Sequence, residues 1–85
     1  MTTEDYENEI QRQIKDIAAL GFKKMALSPE DVSQILDVDI STLYNWRKKA
    51  IGPAFSQQDT GKRNKVIYTP RAIAAFLINT QLKTV

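Results

Sequence analysis

Cysteine and histidine are both absent from this sequence. Without cysteine there is no disulfide framework, which fits a reducing cytoplasm. Without either residue the usual zinc ligand sets are missing, and so is the commonest general base. No apolar run approaches the roughly 20 residues that a membrane helix needs. The acidic, polar opening from Met1 to Asn8 does not read as a secretory signal. Only three glycines are present, and none sits in a phosphate-cradling loop. The 85 residues, 42% of them hydrophobic, suffice for one small core but not for a core plus a deep catalytic cleft. These absences lead to the expectation of a cytoplasmic protein that is not an enzyme and uses no metal, cofactor or small-molecule substrate.

What is present is a lopsided charge. Residues 1–39 hold nine acids against four bases, a balance of −5, whereas residues 40–85 hold eight bases against the single acid Asp59, a balance of +7. Such a chain offers one strongly basic surface, suited to a polyanion or, equally, to solvation alone.

Apolar spacing and cap residues divide the chain into elements. A first helix is expected from about Glu4 to Leu20, with Thr2 and Asp5 at capping-box spacing and Gly21 as its stop. Tyr6, Ile10, Ile14 and Ile17 form one apolar stripe along it, serving either the chain's own core or a contact between two copies. A second helix begins with Ser28 as cap, Pro29 in the first position and Asp31 three residues after the cap, and stops near Asp37. A third follows within two or three residues, with Asp39 as cap and Ile40, Leu43, Trp46 and Ala50 inward. Two short helices so closely linked must cross steeply, a helix-turn-helix arrangement. Gly52-Pro53 is expected to close the third helix. Ala54–Gln57 and Val66–Tyr68 then read as strands around an eight-residue polar loop, Gln58–Lys65. Thr69-Pro70 starts a last helix with Ile73, Phe76 and Leu77 inward, and its tail from Thr80 is expected to fray.

On a wheel of about 100° per residue, Ser41, Asn45 and Lys48 lie opposite Leu43, flanked by Thr42, Tyr44 and Lys49. Asn pairs bidentately with adenine, Ser and Thr donate or accept, and Lys reaches guanine or phosphate, so this face suits base edges and DNA backbone. An ordinary solvated helix face has the same composition. Lys62, Arg63 and Lys65 crowd the hairpin tip, where mutual repulsion gives them no folding role; a phosphate backbone or a minor groove would accept them.

Leu27 to Asp39, Ser41-Thr42-Leu43-Tyr44-Asn45-Trp46-Arg47, Ile51-Gly52-Pro53 with its basic hairpin, and Val66-Ile67-Tyr68-Thr69-Pro70 through Phe76-Leu77 occur in an order that resembles the excisionase-like and MerR-type winged helix family. The resemblance covers about residues 25–80. It implies a recognition helix in the major groove and a wing on the flanking backbone. Asp37 stands where relatives have a turn glycine, and Ala72 and Phe76 stand where an acid and a tryptophan are common. The wing is longer than in many relatives, and the segment from Thr2 to Gly21 lies outside the likeness.

The expected architecture is therefore mainly α with a small β-hairpin wing, a winged helix-turn-helix over 25–85 preceded by a helical segment over 1–24. The expected function is sequence-specific binding of double-stranded DNA, as an excisionase-like architectural factor or a small transcriptional regulator of a mobile element. Such a protein would be cytoplasmic and nucleoid-associated, with DNA as partner, a homodimer or cooperative assembly on DNA as a further option, and no membrane contact. The alternative is a winged-helix interaction module, or an accessory subunit of a DNA transfer or packaging complex. It would call for an apolar or acidic outer face on the third helix, whereas Ser41, Asn45 and Lys48 stand there.

Overall fold

A computed structural model describes residues 2–59, 61 and 64–83. It is mainly helical with one two-stranded antiparallel hairpin, in the order α1 (Thr3–Ala19), α2 (Pro29–Leu36), α3 (Ile40–Lys48), β1 (Ser56–Asp59), β2 (Asn64–Ile67) and α4 (Pro70–Lys83). No described helix is long and apolar enough to cross a membrane.

Reciprocal capping boxes start the first two helices. The Thr2 hydroxyl accepts from the Asp5 amide at 3.1 Å while the Asp5 carboxylate accepts from the Thr2 amide at 3.4 Å. Ser28 and Asp31 repeat the exchange at 3.0 and 3.1 Å. Each box satisfies amides that a helix start otherwise leaves unpaired. Gly21, at φ 104°, ends α1 as its sequence position suggests.

The turn after α2 is built on Asp37 in the left-handed region (φ 55°, ψ 50°). The Val38 amide donates back to the Ser33 carbonyl at 3.1 Å, and the Ser33 hydroxyl donates to the Val38 carbonyl at 2.6 Å. These bonds hold a conformation that Asp tolerates better than most residues but that still costs energy. Asp39 occupies the cap position of α3 in extended backbone, yet its side chain makes no cap bond.

The end of α3 differs from expectation. Gly52-Pro53 does not close it; Ala50 does, at φ 57°, with the Ala50 amide bonded to the Arg47 carbonyl (3.2 Å) and the Ile51 amide to the Trp46 carbonyl (2.9 Å). This is a Schellman closure with alanine where glycine is usual. Ala50, expected inward on the helix, is therefore beyond it and exposed. Gly52 has a packing role instead: a Cβ there would lie 2.7 Å from Trp46 Cε3.

The hairpin also reaches further than the apolar residues indicate. Ser56 pairs with Ile67, Gln57 with Val66, Gln58 with Lys65 and Asp59 with Asn64, leaving only residues 60–63 between the strands instead of an eight-residue loop. Ser56, Gln57 and Gln58 are all exposed, so β1 carries no alternation to mark it. Tyr68 leaves this ladder and exchanges both backbone bonds with Leu27, at 2.7 and 2.9 Å, which ties the hairpin base to the α1–α2 connector.

Ile17, Leu27, Val32, Leu43, Tyr68 and Ile73 form the main buried cluster, with Trp46, Phe22 and Leu77 among the side chains packed on it. A second cluster joins Ile10 of α1 to Ala74 and Ile78 of α4, with Tyr6 and Ile14 against it. The stripe considered as a contact between copies is thus inside the fold: Ile10 and Ile17 are buried, and Tyr6 and Ile14 lie partly covered beside them. The main cluster takes in Ile17 together with Val32 and Leu43, so one core spans the division expected at residue 24. Helix α4 runs to Lys83, with Ile73 buried, Leu77 packed half-buried on the main cluster and Phe76 half-buried against Trp46.

Candidate nucleic-acid interface

Along α3, Leu43 is fully buried and anchors the helix; Trp46 is half-buried, its ring 5.5 Å from that of Phe76. Ser41, Tyr44, Asn45 and Lys48 are exposed, and Lys49 follows, also exposed, at the helix end. These five therefore share the solvent-facing side of one short element. Thr42 stands apart. It is half-buried and lines a shallow depression with Ser33, Gln34, Asp37, Val38 and Asp39 at the α2–α3 turn, next to acids rather than bases.

Ile40, expected inward with Leu43 and Trp46, is 46% exposed and belongs to neither apolar cluster. A helical side chain leans toward the turn N-terminal to its own Cα. Ile40 is the first residue of α3, so no preceding turn lies beneath it.

Arg47 joins α3 to the root of the hairpin. It is half-buried; its guanidinium donates to the Tyr68 hydroxyl at 2.8 Å and lies 5.9 Å from the ring centroids of both Tyr44 and Phe55. Phe55 precedes β1 and Tyr68 follows β2, their rings 6.2 Å apart. One side chain of α3 thus meets the residues that flank the hairpin on both sides, Phe55 before β1 and Tyr68 after β2. Arg47 is not among the residues that the outer face of the wheel singles out, although its position carries a signal. It falls only about 40° from Leu43 on the helical wheel, and a charge turned that far inward needs a polar partner. Lys48 turns outward, its Nζ 5.4 Å from the Tyr44 ring centroid.

On β2, Lys65 is exposed opposite Gln58. Lys62 and Arg63 lie outside the described residues.

Among the described residues the ion pairs are elsewhere. Arg71 of α4 makes two hydrogen bonds to the Glu7 carboxylate of α1, one of them 3.1 Å long. Hydrogen bonds from Arg71, with its charge added, hold the Glu7 carboxyl below its ordinary range, and Glu7 in turn raises Arg71. Lys24 meets Asp31 at 3.2 Å and Arg12 meets Glu9 at 2.6 Å. The Ser28 amide, more than Lys24, lowers the Asp31 carboxyl. None of Lys48, Lys49 and Lys65 forms an ion pair with a described residue.

Among the described residues no group of three or more carboxylates, with histidine and cysteine absent, is arranged to hold a metal ion. A groove of about 460 Å³ lies between the 50–54 connector and Ala72, Ala75, Phe76 and Asn79 of α4, and among the described residues no titratable side chain lines it. In comparisons with known proteins, no family model, curated protein or solved structure matches the chain.

Proposed function

We propose that this chain is a winged helix-turn-helix protein that binds double-stranded DNA sequence-specifically, with α3 as recognition helix in the major groove and the β1–β2 hairpin as a wing on the flanking backbone. The observation that carries this reading is the exposed row Ser41, Asn45, Lys48 and Lys49 on a helix whose lysines have no ion-pair partner among the described residues. A major groove about 12 Å wide admits a helix, and these side-chain types match its donors and acceptors. The anchoring of Arg47 at the hairpin root supports the second half of the reading, because it couples the wing to the helix. Lys65, joined in sequence by Lys62 and Arg63, gives the wing its charge.

In this reading Asn45 reads bases, while Lys48, Lys49 and the wing cations hold phosphates. The resemblance over residues 25–80 adds the biological setting: an excisionase-like architectural factor or a small regulator of a mobile element. Asn45→Ala tests the base-reading role. Measured by fluorescence anisotropy, it should cost about 1–3 kcal/mol on a duplex selected by the wild-type chain and far less on random duplexes. Equal losses on both would remove the base-reading role. Absence of wild-type affinity for any duplex at low salt would remove the whole reading in favour of a protein-interaction module.

A further inference from the structure

We propose that α3 selects thymine through its 5-methyl group, contacted by Ile40 with Tyr44 beside it; this rests on the DNA-binding reading above and sharpens it. Ile40, Tyr44 and Lys48 are four residues apart, so they form one row along the helix, adjacent to the row of Ser41 and Asn45. Ile40 is 46% exposed and Tyr44 54% exposed, and neither joins the two apolar clusters that hold the fold together. A half-exposed isoleucine at the start of a helix adds little to folding but offers an apolar tip to whatever docks there.

The surroundings say what that occupant is. The Tyr44 ring has two cations near it, Lys48 Nζ at 5.4 Å and Arg47 Cζ at 5.9 Å, and Arg47 is itself fixed on Tyr68. The apolar row is therefore oriented, and it ends in positive charge. A polyanion with apolar groups on its reading edge fits this pattern. In B-DNA the only such group in the major groove is the thymine methyl. The first residues of a recognition helix are the ones that reach base edges, and Ile40 and Ser41 are the first two of α3. Asn45 suits adenine, whose partner base carries that methyl on the same groove edge. The expected target thus contains A·T pairs recognised from both strands, by amide on one side and by methyl contact on the other.

The test uses the full chain and duplexes enriched by it from a random library. Each enriched duplex is synthesised twice, once with thymine and once with 2′-deoxyuridine, which differs only by the methyl. Affinities are read by fluorescence anisotropy for the wild type, Ile40→Ser and Tyr44→Gln, with circular dichroism melts as the folding control. The wild type should bind the uracil duplex about fourfold more weakly for each methyl it buries. Ile40→Ser should lose affinity for the thymine duplex, keep its affinity for the uracil duplex, and so lose most of the discrimination. Tyr44→Gln should reduce the discrimination in part, which keeps the test decisive if one variant folds poorly. Equal wild-type affinity for the two duplexes, with sequence preference intact, overturns thymine selection and leaves DNA binding standing. Full discrimination retained by both variants also overturns it, since the methyl would then act through DNA shape. No binding to either duplex defeats both proposals together.

Discussion

Arg71 on α4 and the lysines of α3 and β2 belong to the same basic half of the chain, but their surroundings differ. Arg71 meets Glu7 across the α1–α4 contact, each shifting the other's titration toward the charged state. Lys48, Lys49 and Lys65 are exposed and have no ion pair among the described residues. Arg47 stands between the two cases, half-buried on Tyr68 and beside two aromatic rings. The lesson is that a basic half is not a basic surface. Arg71 is taken up by the fold, Arg47 sets the hairpin against α3, and among the described side chains of this half Lys48, Lys49 and Lys65 are left for a partner.

The largest expected effect breaks the comparison within one helix. Leu43→Ala removes the fully buried anchor of α3 and should destabilise the chain by about 2–5 kcal/mol, enough to unfold much of a domain this small. Lys48→Ala, one turn further on, should stay within about 0.5 kcal/mol of wild type. Urea melts of the two variants measure both, and a similar midpoint for both would mean that the inner and outer faces have been misjudged.

A smaller effect has the opposite sign. Asp37 holds a left-handed conformation at φ 55°, so Asp37→Gly should raise stability by about 0.5–1 kcal/mol while leaving duplex affinity unchanged. A lower melting temperature would show that the Asp37 side chain stabilises the turn in a way its backbone does not reveal.

The smallest effect appears on acidification. Glu7 and Asp31 both have folded-state pKa values lowered, by Arg71 and by the Ser28 amide respectively. Their stabilisation is therefore complete above the unfolded-state values near 4 and is lost as pH falls through the lower folded values. The urea midpoint should drop from about pH 5 to about pH 3, and the drop should be shallower in Asp31→Asn. An identical pH profile in that variant would count against the role of the Ser28–Asp31 box.

Much of the fold was legible because local chemistry specifies it. Ser28-Pro29 with Asp31, Thr2 with Asp5, and Gly21 each satisfy a helix end through near neighbours, and each functions as its spacing implies. The strand boundaries were not legible. The two strands pair through backbone groups, and exposed Ser56, Gln57 and Gln58 need no apolar periodicity to join them. Ile40 misled because a wheel treats every turn as covered, whereas the first turn of a helix has nothing before it. Arg47 was hidden for a different reason: its partner Tyr68 is 21 residues away, brought close only by the path of the hairpin. On the proposed DNA face, Ser41, Asn45, Lys48 and Lys49 could be located by angle alone because their neighbour Leu43 is buried. Thr42 could not, since its surroundings come from α2.

The central claim, that the exposed lysines Lys48, Lys49 and Lys65 are held for a polyanion, is tested most directly by the salt dependence of DNA binding. Lys48→Ala, Lys49→Ala and Lys65→Ala are combined in one chain, and affinity for a random duplex is followed by fluorescence anisotropy across a salt series beside the wild type. Each phosphate contact contributes about 0.9 to the slope of log K against log salt, so three lost contacts should flatten the slope by roughly 2–3 units while the thermal melt stays unchanged. A folded triple variant whose affinity and slope both match the wild type would contradict the account.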